Sequence, residues 1–342
     1  MKVPGLPPPV PAAPAGTIGI VEDLRGAASL AVALFHLRIA LPEGAVRTFL
    51  GGGWMGVDAF FVISGFVMPL ALARAEYRIS RFPRFVAKRV TRLDPPYLAC
   101  IALIVLLDVL SAATPGFRGA PFRWDGARVS SHVLYLTQVL GMAWLNPVFW
   151  TLALEFQYYL ALGLLFPLIG RSSTAGFLLV VAACAAGPFL AGGTTTLLPY
   201  LPLFGMGFVA LRWREGRDPA AILAACWAVL AVAACRNADG WPAAAIGIGT
   251  ALLVASVSGG TRYLGWLGAI SYSLYLLHVP VGGRVVNLGG RIVTGDTSRY
   301  LLFGGAVAVS IGAAWVLHRT VEVPSRRWAS RIGYRPAPAS AA

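Results

Sequence analysis

Apolar runs long enough to cross a bilayer recur along this chain from one end to the other, and that recurrence limits the fold more than any other feature. Ten can be marked, at residues 18–41, 54–73, 96–113, 148–169, 174–191, 197–213, 220–234, 241–258, 264–282 and 300–317. About twenty apolar residues in a helix cover the hydrocarbon core, where the backbone has to satisfy its own hydrogen bonds. The chain therefore reads as all-α, a polytopic transmembrane bundle of about ten spans. An eleventh stretch, 131–145, is shorter and less apolar, and reads as a helix at the interface or dipping part-way in. Counting it as a span would invert the topology downstream.

Loop charge tests that count. With ten spans and the N-terminus inside, the inner segments carry twice as many Lys and Arg residues as the outer ones. That bias places both termini in the cytoplasm. It also accounts for the net charge of +14 in a chain that is 57% hydrophobic and only 12% charged. Nucleic acid is not expected as a partner, because no basic face alternates with stacking aromatics. Residues 1–17, MKVPGLPPPVPAAPAGT, lack the apolar core of a signal peptide and read as a disordered Pro-rich tail. Residues 18–332 form the membrane domain, and 333–342 read as a second loose end. Cys100, Cys184, Cys226 and Cys235 lie in apolar runs without CxxC or Cys/His clustering, so neither disulfides nor a metal site are expected. Gly51-Gly52-Gly53 reads as a flexible outer loop and offers no phosphate-binding signature.

Inside the spans sit groups that are expensive to bury. Arg25 and His36 share the first span. Eleven helical steps bring the chain round to within about 20° of its starting face and advance it about 16 Å, so both look out from one side. Asp58 and Ser64 lie in the second span, Glu155 in the fourth, and Ser271, Tyr272 and His278 in the ninth. Counting residues from the span ends puts His36, Asp58, Glu155 and His278 in one layer of the outer half. An imidazole flanked by carboxylates suits general base catalysis, since a carboxylate orients the ring and stabilises the imidazolium. The plainer reading of the set is a proton relay or polar glue between helices, with Asp58 facing water near a span end and His278 beside Pro280 as a helix-end residue. His132 and His318, outside the set, read as structural. At the cytoplasmic end, RFPRFVAKRVTRLDPPY sets topology and also offers Arg89 and Arg92, neighbours on a helix, for phosphate binding. Pro95 and Pro96 are expected to mark where the third span begins. A carrier with a long thin arm, such as coenzyme A, would bridge the two levels.

These stretches resemble the acyltransferase family 3 membrane proteins. LRGAASLAVALFH is similar to the family's Arg-x10-His opening, FFVISGF to its second-span motif, and KRVTRLDPPY to its Arg-x-x-Arg segment. FWTLALEFQYYL resembles the Trp…Glu span with Trp150, LGAISYSLYLLHVPV the Ser-Tyr-Ser-x-Tyr-Leu-x-His span, and RTVEVPSRRW the closing Glu-x-Pro. Asp94 departs from the pattern. The resemblance implies a ten-span enzyme of the bacterial cytoplasmic membrane, with acyl-coenzyme A, commonly acetyl, as co-substrate and no permanently bound cofactor. It implies His36, Arg25 and Glu155 as the catalytic set and Arg89 and Arg92 on the coenzyme A side. Asp58, Ser64, Trp150, Tyr272 and His278 are then candidate supporting residues. The acceptor would be a hydroxyl of a carbohydrate, such as a cell-surface polysaccharide or glycolipid, with a separate periplasmic transferase as a further partner. Alternatives are acylation of a macrolide or, in another class, a proton-coupled transporter or flippase using the same buried charges.

Overall fold

The computed structural model describes residues 18–113, 124–170, 172–191, 196–236 and 240–333. The expected tails, 1–17 and 334–342, lie outside them, as does the loop 114–123. The described residues form helices joined by turns, with no strand among them. In chain order the helices are α1 (Gly19–Leu37), α2 (Ala45–Leu50), α3 (Gly56–Arg74), α4 (Phe82–Ala112), α5 (Gly126–Val133), α6 (Phe149–Ile169) and α7 (Thr174–Leu190). Then come α8 (Leu201–Arg214), α9 (Ala220–Ala234), α10 (Gly240–Ser256), α11 (Arg262–Leu277), α12 (Gly283–Gly289), α13 (Asp296–Leu317) and α14 (Val323–Arg331). Single wider turns, His278–Gly282 and His318–Glu322, carry α11 into α12 and α13 into α14.

Five continuous helical stretches are long and apolar enough to cross a membrane: Ala45–Arg74, Ile79–Ala112, Phe149–Ile169, Arg262–Gly289 and Asp296–Arg331. α7, α9 and α10 are apolar but shorter. Three expectations need correction. α4 does not begin at the prolines but runs through them, from Phe82. Pro95 and Pro96 lack the N–H groups that would reach the Thr91 and Arg92 carbonyls, and the helix nevertheless continues through them; beside them the Tyr272 hydroxyl donates to Leu93 O at 2.9 Å. Residues 131–145 are not one helix either: α5 stops at Val133 and gives way to turns. Nor is Gly51–Gly53 slack, because a Cβ on Gly53 would lie 2.2 Å from Ala31 O.

What positions the polar groups is the pairing of α1 with α11. A Cβ on Gly26 would come within 2.4 Å of Leu264 O and 2.8 Å of Gly268 N, and one on Gly268 within 2.1 Å of Glu22 O. The two helices run parallel with their backbones in contact. Thr261 caps α11 by accepting from Leu264 N at 3.2 Å, and the buried Asp23 of α1 accepts from Thr261 N at 2.6 Å. A second close pair, α3 with α8, meets through Gly65 and Gly207. It builds the larger apolar core, around Phe66, Leu203, Phe204 and Met206.

Candidate active site

Gly26 and Gly268 are in contact, and ten residues further along each parallel helix stand His36 and His278. Equal advance brings the two rings to one height, with His278 Nε2 3.2 Å from His36 Nδ1 and ring centroids 5.0 Å apart. His278 is fully buried, whereas His36 is half-buried and lines a cavity of about 710 Å³. The protons can be assigned from the partners. His278 Nδ1 lies 3.0 Å from Leu274 O, and a carbonyl only accepts, so Nδ1 carries the hydrogen. Nε2 of the neutral ring is then an acceptor. His36 Nδ1–H donates to it and to Val32 O at 3.0 Å. That leaves the lone pair of His36 on Nε2, the form a general base needs.

The expected carboxylate partner is absent from this pair. Glu155 lies in a separate small cavity of about 40 Å³ shared with Arg25, Phe60, Ser271, Tyr272 and Tyr275. Its Oε1 accepts from Ser64 Oγ at 2.7 Å and from the Tyr159 hydroxyl. The single expected layer of His36, Asp58, Glu155 and His278 is thus two levels, separated by Tyr275. The Tyr275 hydroxyl is 2.7 Å from Thr151 Oγ1, and its ring lies 5.9 Å from that of His278. Asp58 does not face water: it is 1% exposed, in the first turn of α3. His278 is at a helix end, as its sequence context suggested, and is also the orienting group for His36. Trp150 packs on Tyr200, with centroids 5.5 Å apart, rather than against any of these cavities.

A third level lies at the N-terminal end of α4. Arg89 and Arg92 do meet at one pocket, of about 200 Å³, together with Lys88 and with Arg326 of α14. Arg89 is 8% exposed, its Nε has no hydrogen-bond partner, and its guanidinium sits 5.8 Å from the Phe85 and Tyr159 ring centroids. Four cations converge on one cavity, one with an unused donor, a set of groups chemically suited to an anion. Arg25 is close enough for its charge to act on Arg92. Tyr159, which donates to Glu155 and faces Arg89, links the middle level to the basic one.

Sequence reasoning missed Arg326, read as part of a topological charge cluster. The signal available was Glu322, four residues earlier: it is buried, accepts from Ser273 Oγ at 2.7 Å, and lies 3.9 Å from Arg326. Also missed were Asp108 and Arg284, paired at 2.5 Å across the His36 cavity. His132 and His318 are structural, as read: His132 bridges Arg128 O and Leu145 N, and His318 pairs with Glu322 at 3.1 Å.

A family model described as an acyltransferase domain matches residues 21–319, which takes in all three levels. The O-acetyltransferase OatA of Staphylococcus aureus is 28% identical over 160 residues, 44% of this chain and 24% of OatA. A Komagataeibacter xylinus protein, BcsY, named for a membrane-bound transacylase, is 34% identical over 148 residues, 41% of this chain and 34% of that protein. ORF330 of Acidianus two-tailed virus, named for an acetyltransferase, is 29% identical over 198 residues, 56% of this chain and 53% of the viral protein. The matches span about half of these relatives or less. No solved structure matches the chain.

Proposed function

Because this chain belongs to the acyltransferase domain family, we propose that it is an integral membrane O-acyltransferase. It takes an acyl group, preferentially acetyl, from acyl-coenzyme A to a hydroxyl on a carbohydrate-bearing acceptor such as a cell-surface polysaccharide or its glycolipid precursor. In this reading the bundle crosses a bacterial cytoplasmic membrane ten times with both termini inside. Phosphates of the donor sit among Lys88, Arg89, Arg92 and Arg326 at the cytoplasmic end, and the acceptor enters the His36 cavity from the other side.

One observation carries the proposal: Arg25, beside the basic level, and His36 lie on one helix face about 16 Å apart. The sulfur-to-phosphate arm of coenzyme A, about thirteen bonds in zigzag, reaches about 16 Å when extended. Such an arm would pass the middle level, where Ser271 Oγ is buried without a hydrogen-bond partner. It would also require the Tyr275–Thr151 contact to part. At the far end His36 Nε2 takes the acceptor's hydroxyl proton as the oxygen attacks the thioester carbon. The C–S bond then breaks, and the departing thiolate receives that proton. His278, through its lone pair on His36 Nδ1–H, stabilises the imidazolium in between. Arg25, a helix length from the reacting carbon, serves the donor's phosphates, and Glu155 holds Ser64 and Tyr159.

The test is transfer of label from acetyl-coenzyme A to the lipid and glycan fractions of membranes containing the protein. Wild type should label a fraction that His36→Ala does not, with both proteins present in equal folded amount. Arg89→Ala combined with Arg92→Ala should raise KM for the donor. Undiminished labelling by His36→Ala would reject the assignment.

A further inference from the structure

The middle chamber holds two opposite charges that do not pair. Arg25 and Glu155 both line it, yet among the described residues neither forms an ion pair. The Arg25 guanidinium makes no hydrogen bond there either, and lies over the Phe60 ring, 5.9 Å from its centroid. Glu155 uses Oε1 for Ser64 and Tyr159, while its Oε2 accepts from no described residue. Ser271 is a third unused group: it is 1% exposed, lines the same chamber, and its Oγ has no hydrogen-bond partner. A buried hydroxyl without a partner is costly, and so is a cation kept apart from a carboxylate in apolar surroundings. Both costs are relieved by a ligand that supplies the missing partners.

Such a ligand has to accept from Arg25 and Ser271 and donate to Glu155. A secondary amide does both, its carbonyl oxygen accepting and its N–H donating. An ester or a thioester lacks the donor. The volume of about 40 Å³ admits only a few heavy atoms. A site that encloses a whole small ligand has about 300 Å³ or more, so what enters here is one segment of a longer molecule. The rest of the lining includes Val57, Phe60, Phe61 and Leu152, which suits the methylenes on either side of an amide. Towards His36 the chamber is closed by the Tyr275 hydroxyl, 2.7 Å from Thr151 Oγ1.

We propose that this chamber is an amide subsite for the arm of the donor. Arg25 and Ser271 Oγ donate to the amide carbonyl, and Glu155 Oε2 accepts from the amide N–H. The arm between sulfur and phosphate contains two secondary amides, and of its about thirteen bonds the amide farther from sulfur occupies the middle ones. With the phosphates at the basic level and the sulfur at His36, that amide comes to the middle level. Arg25 has enough donors for the phosphates on one side and a carbonyl on the other. The inference rests on the reading that the donor threads the bundle. It sharpens that reading, because a thioester whose carrier lacks this amide becomes a poor donor even with its phosphates intact.

Binding is measured with the full chain in phosphatidylcholine nanodiscs, using coenzyme A and 3′-phospho-ADP, which has the same phosphates and no arm. Wild type should bind coenzyme A about tenfold tighter or more. Ser271→Ala should lose about two- to tenfold for coenzyme A and nothing for 3′-phospho-ADP, as one neutral hydrogen bond would give. Because this hydroxyl has no partner inside the protein, the variant should unfold at or above the wild-type temperature. A coenzyme A analogue with oxygen in place of the farther amide N–H should bind wild type about tenfold more weakly or worse. Glu155→Gln should shrink that penalty to a few-fold, since its side-chain oxygen carries no charge. An analogue that binds wild type as coenzyme A does, or unchanged coenzyme A binding by Ser271→Ala, would overturn the subsite while leaving the donor assignment standing. No binding of coenzyme A by wild type would sink the donor assignment itself, and the subsite with it. N-acetylglucosamine carries the same amide on a sugar ring and should not compete. Competition that Ser271→Ala abolishes would give the chamber to an acceptor and overturn the proposal.

Discussion

Two helix pairs in this bundle touch backbone to backbone through glycine, α1 with α11 and α3 with α8, and their contents differ. On α3 and α8 a Cβ at Gly65 would lie 2.0 Å from Phe204 O, and one at Gly207 2.0 Å from Val62 O. Around them are Phe66, Phe204 and Met206, all buried. On α1 and α11 the glycine contact is nearly as tight, at 2.4 and 2.1 Å, yet further along these two helices stands a pair of imidazoles. In a bilayer, lipid is as apolar as any side chain, so close approach through small residues is what brings helices together. Once two parallel rods are pinned at one point, their register is fixed along their length. α3–α8 uses that register to fill a core, and α1–α11 uses it to set His278 against His36.

The largest separation between the pairs should come from their polar ends. His36→Ala should lower the transfer rate by about 10²–10⁴-fold, the usual worth of a general base. His278→Ala should lower it by about ten- to a hundredfold through kcat, with KM for the donor unchanged. His278→Gln should recover part of the loss, because an amide oxygen can still accept from His36 Nδ1. No rescue by Gln would reduce His278 to a packing residue.

α8 also carries a buried polar group beyond its glycine, and its loss should read out differently. Arg212 is 1% exposed and pairs with Asp218 at 2.6 Å, Nε to Oδ2, and 2.9 Å, Nη2 to Oδ1, and donates to Ser172 O at 3.1 Å. Arg212→Met should cost about 3 kcal/mol by leaving the covered Asp218 carboxylate with the Thr174 hydroxyl but without its guanidinium, with kcat per folded molecule unchanged. The Arg212 hydrogen bonds hold the Asp218 carboxyl below its ordinary value of 3.8. Its contribution is therefore complete above about pH 4 and lost as pH falls through the lower folded-state value. Thermal unfolding followed by tryptophan fluorescence should show this acid-side loss in wild type and a smaller one in Arg212→Met, where the Thr174 hydroxyl still holds the carboxylate.

Exchanging the glycines themselves tests the comparison directly. Gly207→Ala and Gly268→Ala each force a methyl against a carbonyl and should cost about 1–3 kcal/mol. In the folded fraction, Gly207→Ala should keep its kcat and Gly268→Ala should lose most of it, because only the second shift moves the imidazoles apart. Equal kcat in the two variants would mean that glycine register has no bearing on the site.

Much of this was legible in the sequence, for reasons that also mark the limit. The helices were readable from apolar runs alone, and Arg25, His36, Arg89 and Arg92 from spacing on single helices, where 100° per residue fixes the face. Glu155 was legible as a buried acid but not as the partner of Ser64 and Tyr159, since that depends on how α6 rotates against α3. The His36–His278 pair needed the Gly26–Gly268 contact, which joins helices some 240 residues apart. The equal His-after-Gly spacing is visible only once that contact is known. α4 was misread at its start because Pro95-Pro96 normally ends a helix, whereas here one helix runs through both from Phe82.

A third region is held by neither glycine nor a buried charge pair, and its change should be the smallest. Residues 134–148 come after α5 and bring Leu145 and Asn146 to the wall of the His36 cavity. Tyr135 anchors them although its backbone is left-handed, at φ 58°, which costs a non-glycine residue about 1–2 kcal/mol. Its ring repays this by lying between Tyr97 and Phe156, with centroids 5.3 and 4.5 Å away and planes nearly parallel. Its hydroxyl donates to Asp94 Oδ1 at 2.9 Å, and burial followed by the Asp94 charge pushes the phenol well above its ordinary range, so it stays the donor. Asp94 thus gains a local purpose, as the acceptor for the Tyr135 hydroxyl. Tyr135→Phe keeps the stacking, drops one hydrogen bond, and should cost about 1 kcal/mol. Asp94→Ala combined with it should cost less than the two single changes together, because both remove the same bond. Full additivity in thermal unfolding would show that the hydroxyl and the carboxylate do not depend on each other, and that stacking alone holds this wall of the cavity in place.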